Sequence, residues 1–152
     1  MRIYLDTCCY NRPFDDKSQI SIQLESNAKL YIQKEISKGA YELVWSFILD
    51  YENKYNPQED VRKNIQEWEN KSVVYCKPTQ KVLSKSIELE SLGIGKNDAI
   101  HVACGILSKC KYFITTDYDL IKIPLKEIKI INPIQFIYEI EGKLWKMKQY
   151  LE

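Results

Sequence analysis

The sequence has a single histidine, His101, and none of its five cysteines is separated from another by two residues. Structural zinc sites are usually built from such ligand pairs, so we expect no zinc site. The odd number of cysteines, with an acid too close to the N-terminus for a signal peptide, predicts reduced thiols and a cytoplasmic protein. The adjacent Cys8 and Cys9 are expected on a strand, with their side chains pointing apart.

The sequence also lacks an excess of either charge and a long apolar run. The 22 lysines and arginines nearly balance 21 acids, for a net charge of +1, which argues against a broadly basic clamp for nucleic acid. No apolar run approaches the ~18 residues of a membrane span, so we expect no membrane association. With 152 residues and 45% hydrophobic residues, the composition is typical of a globular protein, and we predict one domain over residues 1–152.

Short apolar strands alternate with amphipathic helices along the chain. Strands are predicted over 2–5, 42–45, 72–76, 112–115 and 127–131, and helices over 17–38, 46–54, 58–69, 80–91, 97–109 and 132–140, with 142–152 a terminal helix or tail. In the first long helix, the apolar stripe is assigned to Ile20, Leu24, Leu30, Tyr31 and Ile36. Strands joined through helices indicate crossover connections. The predicted class is therefore α/β, with a central, mostly parallel five-stranded sheet and helices on both faces.

Four acids occupy positions that indicate chemistry. Asp6 and Asp117 directly follow the first and fourth strands, where open α/β sheets bind ligands, although either alone is also typical of a helix cap. Asp98 opens an almost wholly apolar helix, and Glu52 lies among apolar positions of another. Carboxylates that converge on one cleft repel one another unless divalent cations are bound, and oxygen ligands suit Mg²⁺ or Mn²⁺.

These residues carry a resemblance to the PIN-domain ribonucleases, the group that includes VapC-type toxins. Four segments resemble the family motifs in order: Ile3-Tyr4-Leu5-Asp6-Thr7, Ser46 through Glu52, Lys96-Asn97-Asp98-Ala99-Ile100-His101-Val102-Ala103 and Phe113-Ile114-Thr115-Thr116-Asp117. The fourth segment continues through Tyr118-Asp119-Leu120, so together they extend over residues 3–120 of the 152. The segment Asn11-Arg12-Pro13-Phe14 differs from the usual toxin sequence and is similar to a stand-alone subgroup of PIN proteins.

The resemblance implies a PIN-like domain that hydrolyses single-stranded RNA as a metal-dependent endoribonuclease. Mg²⁺ or Mn²⁺ would be held by Asp6, Asp98 and Asp117, with Glu52 as a fourth acid, although Asp50 competes for that role. Thr7, Asn11, Arg12, Thr115 and Thr116 are the candidate residues for contacting the substrate or orienting the carboxylates. A salt bridge to Asp15 or Asp16 is an equal alternative for Arg12. The expected partners are RNA, an antitoxin protein if the chain is a toxin, and a second copy of the chain.

Other functions fit the same residues less well. The main alternative is a catalytically inactive PIN-like module that binds RNA or protein. A phosphoacceptor receiver domain needs an aspartate after the third strand, where the chain has Tyr75-Cys76-Lys77-Pro78. A dinucleotide-binding enzyme needs a glycine-rich turn after a strand, but Gly93 and Gly95 follow a helix. His101 is interpreted as a satisfied core histidine in preference to a general base.

Overall fold

A computed structural model describes residues 1–16 and 18–151; for Arg12 and residues 143–151 the description covers the backbone only. The strands are β1 (Arg2–Leu5), β2 (Glu42–Ser46), β3 (Ser72–Cys76), β4 (Tyr112–Ile114) and β5 (Lys129–Ile131). The helices are α1 (Thr7–Asn11), α2 (Ile20–Ser37), α3 (Phe47–Lys54), α4 (Glu59–Gln66), α5 (Gln80–Glu90), α6 (Lys96–Leu107), α7 (Tyr118–Ile121) and α8 (Pro133–Leu151). Short 3₁₀ turns cover Arg12–Phe14 and Glu67–Lys71.

The five strands form one sheet in the order β3-β2-β1-β4-β5, and every pair is parallel. The predicted α/β class and five-stranded sheet are therefore confirmed. β1 lies at the centre, and its residues Ile3, Tyr4 and Leu5 are fully buried, as expected for a parallel strand covered on both faces. The chain builds the sheet outward in one direction from β1 and then returns to the other side, so the topological switch point lies between β1 and β4.

Helices cover both faces of the sheet. On one face, α6 packs against the sheet at Gly105, where an added Cβ would make ordinary 3.6 Å contacts with Tyr4 and Phe113 but would lie only 3.0 Å from Ile128. On the other face, the ring of Phe136 in α8 packs edge-on against Tyr112, with 5.2 Å between ring centroids. Neighbouring residues of a strand point to opposite faces, so Phe113 and Tyr112 mark the two layers. Among the described residues, no helix is both long and apolar enough to cross a membrane.

The predicted N-caps of two helices are confirmed. The Ser46 hydroxyl accepts a hydrogen bond from the backbone N–H of Leu49, and Thr79 accepts one from Val82. The end of α6 is less regular, because Lys109 adopts a left-handed conformation with φ of 62° where glycine is usual. This conformation lets the Cys110 N–H bond the Gly105 carbonyl at 2.9 Å and close the helix.

The apolar stripe assigned to α2 is wrong. Ile20, Leu24, Leu30 and Tyr31 are exposed, whereas Ile36 is buried. At 100° per residue, Ile36 lies about 160° around the helix from Ile20, so the two cannot share a face.

The face of α2 that packs inward combines apolar residues with polar ones, among them the buried Lys29. The Lys29 Nζ atom lies over the ring of Tyr10, 5.1 Å from its centroid. An apolar pattern alone could not have identified this face, because its buried positions include charged and amide side chains.

Three local predictions also need correction. Cys8 and Cys9 lie in α1, not on a strand, and all five cysteines are free thiols. The two short helices α1 and α7 were not predicted, because four or five residues are too few to show a helical period. The terminal helix α8 continues to Leu151 without the break predicted near residue 140, since Gly142 does not interrupt it.

Candidate active site

The first two predicted acids meet at the switch point of the sheet. β1 pairs with β4 so that Leu5 lies opposite Ile114, and the Asp6 N–H continues this ladder to the Ile114 carbonyl at 3.0 Å. Asp6 therefore leaves β1 at the point where the chain of β4 turns toward Asp117. The parallel arrangement brings both acids to one edge of the sheet, as the sequence predicted from strand ends.

Asp6 is held rigidly. It is 5% exposed, and its Oδ1 atom accepts the Thr7 backbone N–H at 2.8 Å. Its Oδ2 atom accepts the Thr115 hydroxyl, also at 2.8 Å. The Thr115 oxygen in turn accepts the Asp117 backbone N–H at 3.1 Å, so one hydroxyl ties the two acids together. Such bonds fix the direction in which the remaining lone pairs of Asp6 point.

Asp117 is also a helix cap. Its Oδ1 atom accepts the backbone N–H groups of Asp119 at 3.0 Å and Leu120 at 3.3 Å, which begins α7. Both bonds use the same oxygen, so the cap occupies one side of the carboxylate only. The capping role and a position at the site are therefore compatible in this residue.

Glu52 enters the site through His101. The His101 Nε2 atom forms a hydrogen bond with the Glu52 carboxylate and lies 3.9 Å from Asp6 Oδ1. On the other side of the ring, Nδ1 is 2.6 Å from the Tyr4 hydroxyl, which is itself 2.7 Å from Ser46 Oγ. This buried chain of side chains holds the imidazole between the acids of β1 and α3.

Electrostatics at His101 favour its charged form. Burial is the largest effect and lowers the pKa of His101, but the hydrogen bond to Glu52 and the charge of Asp6 outweigh it and raise the pKa overall. The neighbouring acids thus stabilise the protonated form of the imidazole.

The structure separates Glu52 from its competitor Asp50. The Asp50 Oδ1 atom accepts the Trp45 indole N–H at 2.8 Å and the Gln66 amide at 2.7 Å, and Oδ2 accepts the Tyr75 hydroxyl. Residues two apart on a helix point in different directions, and here Asp50 points to a structural network while Glu52 reaches His101. The acid on α3 that joins the site is Glu52.

Asp98 completes the group from the first turn of α6. The residue is partly buried, and its pKa is raised, first by burial and then by the charges of Asp6 and Asp117. Glu52 adds a smaller effect of the same sign. All four predicted acids are therefore near enough to interact electrostatically. In the described part of the chain, however, no three Asp, Glu, His or Cys side chains are arranged so that they could hold one metal ion.

The candidate substrate residues divide into three groups. Thr7 and Asn11 line a cleft of about 500 Å³ that Glu52 also borders. Thr115 and Thr116 are 0% and 6% exposed, and the Thr115 hydroxyl bonds to Asp6. The backbone of Arg12 lies in the 3₁₀ turn after α1, but its side chain lies outside the described residues.

The sequence did not predict that Tyr4 and Ser46 connect to the acids through His101. The signals were present: His101 lies three residues after Asp98, on a neighbouring position of the same helix face, and Tyr4 lies two residues before Asp6, on the same side of the strand. The prediction that His101 packs inward is confirmed, since the residue is 1% exposed. Besides packing in the core, however, its ring contacts Glu52 and lies near Asp6.

Comparisons with known proteins establish the fold. No family model matches the sequence, and no curated protein matches it. A chain in the structure of VapBC2 from Rickettsia felis bound to a DNA fragment from their promoter is 18% identical, with a TM-score of 0.54 over 87% of this chain and 98% of that one. A chain of VapBC-1 from nontypeable Haemophilus influenzae is 19% identical, with a TM-score of 0.53 over 88% and 98%. At such identities the similarity shows the fold, and the predicted PIN-like fold is confirmed.

Proposed function

We propose that the protein is a metal-dependent endoribonuclease that hydrolyses phosphodiester bonds in single-stranded RNA. The observation that carries this proposal is that Asp6 and Asp117 are joined through Thr115 at the switch point of a PIN-like sheet, and that Glu52 reaches Asp6 through His101. Asp98 lies close enough for the charges of Asp6 and Asp117 to raise its pKa. Ion pairs within the fold do not account for the presence of all four carboxylates at this place. Asp98 in particular is partly buried beside like charges, which is costly for a residue with only a structural role.

The donor chemistry at this edge fits Mg²⁺ or Mn²⁺. All four acids provide hard oxygen ligands, and Asp117 has a carboxylate oxygen outside its capping bonds. When bound, such a metal polarises the scissile phosphate and lowers the pKa of a water that attacks phosphorus. Because the described side chains do not preform a three-ligand site, we expect metal binding to draw the carboxylates closer together.

The protein's own residues then have separate roles. Thr115 orients Asp6 through the hydrogen bond to Oδ2, and it positions the backbone of Asp117. His101 holds Glu52 and moderates the repulsion around Asp6. Tyr4 keeps the imidazole in place from the buried side. None of these three side chains needs to touch RNA, so we describe them as positioning residues.

We further propose that the protein acts as the toxin of a toxin–antitoxin pair, with an antitoxin protein as its partner. The support is that both solved neighbours above are chains of VapBC structures. The Asn11–Phe14 segment, which is similar to stand-alone PIN proteins, is the feature that weighs against this more specific role. Co-purification with the product of an adjoining gene, followed by loss of cleavage in the complex, would test it. A homodimer remains a separate prediction, tested by light scattering.

The direct test is an RNA cleavage assay on purified protein with titrated Mg²⁺ and Mn²⁺. We expect cleavage of single-stranded RNA that requires the metal and is lost in Asp6→Asn. The exposed Asp60 on α4 supplies the matched control, and Asp60→Asn should cleave normally. Activity that survives in EDTA, or in Asp6→Asn, would contradict the proposal.

A second candidate is an inactive PIN-like module that binds RNA or protein. The specific observation in its favour is that no metal-holding group is preformed among the described residues. This alternative predicts RNA binding that is equal with and without metal, and no cleavage under any divalent ion. The same protein preparation can therefore decide between the two candidates.

A further inference from the structure

A cleft beside the acids has its own chemistry. Its volume is about 500 Å³, and it opens between the segment after β1 and the turn that joins α3 to α4. Phe14 and Asn11 line the first side, and Tyr55, Asn56 and Gln58 line the second. Thr7 and Glu52 border the end of the cleft toward the acids, so whatever occupies it lies next to the proposed reaction site.

The lining favours a flat group that can stack on aromatic side chains. Two aromatic side chains are open to the solvent here: Phe14 is 46% exposed and Tyr55 is 65% exposed. Aromatic faces attract any nucleic-acid base by stacking.

The amides provide the polar contacts that a base edge requires. Asn11 Oδ1 accepts the Asn56 side-chain amide at 3.1 Å, and Asn56 Oδ1 accepts the Gln58 backbone N–H at 3.3 Å. The Asn11 amide nitrogen and the Gln58 side chain have no partner within the described part of the chain and can bond a ligand. Each amide presents both donors and acceptors, so together they can pair with any exposed base edge.

The turn that displays Tyr55 is already ordered. The Asn56 N–H bonds the Asn53 carbonyl at 3.0 Å, and the Arg62 guanidinium donates to the Asn56 carbonyl at 3.1 Å. Pro57 adds a fixed φ to the turn. A preorganised wall lowers the entropic cost of binding, because few side chains must be ordered when a ligand enters.

We propose that this cleft binds one unpaired nucleobase of the RNA strand, stacked on Tyr55 and Phe14, and so sets which phosphate reaches the acids. This inference rests on the proposed nuclease function and extends it to substrate positioning. A base in a duplex is stacked on its neighbours and is not free to enter, so the cleft also selects for single strands.

The test measures binding of a fluorescently labelled, single-stranded RNA of mixed sequence in EDTA, where no cleavage occurs. Stacking of one base is worth ~1–3 kcal/mol, so Tyr55→Ala should weaken binding about 5- to 150-fold. Tyr55→Phe keeps the aromatic face and should bind like the wild type. Tyr138, which is 83% exposed on α8, supplies the matched control, and Tyr138→Ala should have no effect. Because Tyr55 is mostly exposed, its substitution should leave the melting temperature nearly unchanged.

A second measurement identifies the bound nucleotide. An abasic nucleotide is moved through the strand one position at a time, and binding is compared between the wild type and Tyr55→Ala. At one position, loss of the base should weaken binding to the wild type but not to the variant, because the stacking partner is already absent. With Mg²⁺ present, cleavage should occur at a constant distance from that position.

The outcomes separate this inference from the nuclease proposal. Binding that depends on Tyr55 without any cleavage by the wild type would support the base site and refute the nuclease. Metal-dependent cleavage with binding that is unchanged in Tyr55→Ala would refute the base site and leave the nuclease standing. In that case the cleft would be open to a protein segment instead.

Discussion

Replacement of the buried Lys29 by methionine should make the protein more stable at neutral pH. Lys29 is 2% exposed on the inner face of α2, and no carboxylate forms an ion pair with it among the described residues. Burial lowers the pKa of Lys29 from the ordinary value of 10.5 to about 7, although the Cys9 thiol opposes this slightly. The pKa is thus lowered by about 3.5, and each pKa unit is worth about 1.36 kcal/mol. Burial of the charged form of Lys29 therefore costs the folded protein about 5 kcal/mol.

The sign of the pH dependence follows from this lowered pKa. Between pH 7 and pH 10.5, the unfolded chain binds a proton at Lys29 that the folded chain releases, so stability rises with pH in that window. Below about pH 7 the cost is constant, because both states are protonated. Between pH 7.5 and pH 9.5, Lys29 should therefore add about 2.5 kcal/mol to the wild-type free energy of unfolding.

Urea unfolding at these two pH values tests the prediction. Lys29→Met should exceed the wild type by about 2–4 kcal/mol at pH 7.5, and the difference should shrink at pH 9.5. Other groups titrate in both proteins, so the comparison of the two isolates Lys29. Lys34→Met, an exposed position of the same helix, should show no such trend. A difference between wild type and Lys29→Met that is equal at both pH values would refute the reasoning.

Three further predictions concern the site and the end of α6. Asp98→Asn should fold and be at least as stable as the wild type in metal-free buffer, because it removes a charge that burial, Asp6 and Asp117 oppose; loss of thermal stability would make Asp98 a structural residue. Glu52→Gln should strongly reduce metal-dependent RNA cleavage, whereas Asp50→Asn should affect cleavage little. Asp50→Asn should instead lower the free energy of unfolding by about 1–2 kcal/mol, because Asp50 accepts hydrogen bonds from Trp45 and Gln66. A larger loss of cleavage in Asp50→Asn than in Glu52→Gln would exchange their roles. Lys109→Gly should raise the free energy of unfolding by about 1 kcal/mol, because φ is 62° there, and Lys109→Ala, still strained, should not.

The sheet was predictable from the sequence because each of its strands is a short apolar run between helical patterns. The N-caps at Ser46 and Thr79 were predictable for a local reason, since a hydroxyl bonding to the next turn needs no tertiary partner. The inner face of α2 was not predictable, because tertiary packing buried Lys29 and left the more apolar Leu24 in solvent. In α2, the spacing of apolar residues therefore does not identify the face that is buried.

The site was partly predictable for the same reason. Strand ends identified Asp6 and Asp117, and the parallel sheet then made them neighbours. The choice between Asp50 and Glu52 depended on side chains far away in sequence: Trp45 and Gln66 engage Asp50, and His101 engages Glu52. The cleft formed with Asn11 and Tyr55 depended on two loops meeting, which no single segment encodes.

The central position of β1 also has a consequence for synthesis of the protein. β1 is translated before both of its neighbours, since β2 begins at Glu42 and β4 only at Tyr112. While the ribosome adds the intervening residues, β1 has at most one paired edge, and Asp6 has neither Thr115 nor Asp117 beside it. A nascent chain that ends before Asp117 therefore lacks the assembled acids. If cleavage of RNA is the activity, the ribosome and its message are exposed to it only after Asp117 has been added and β4 has paired with β1.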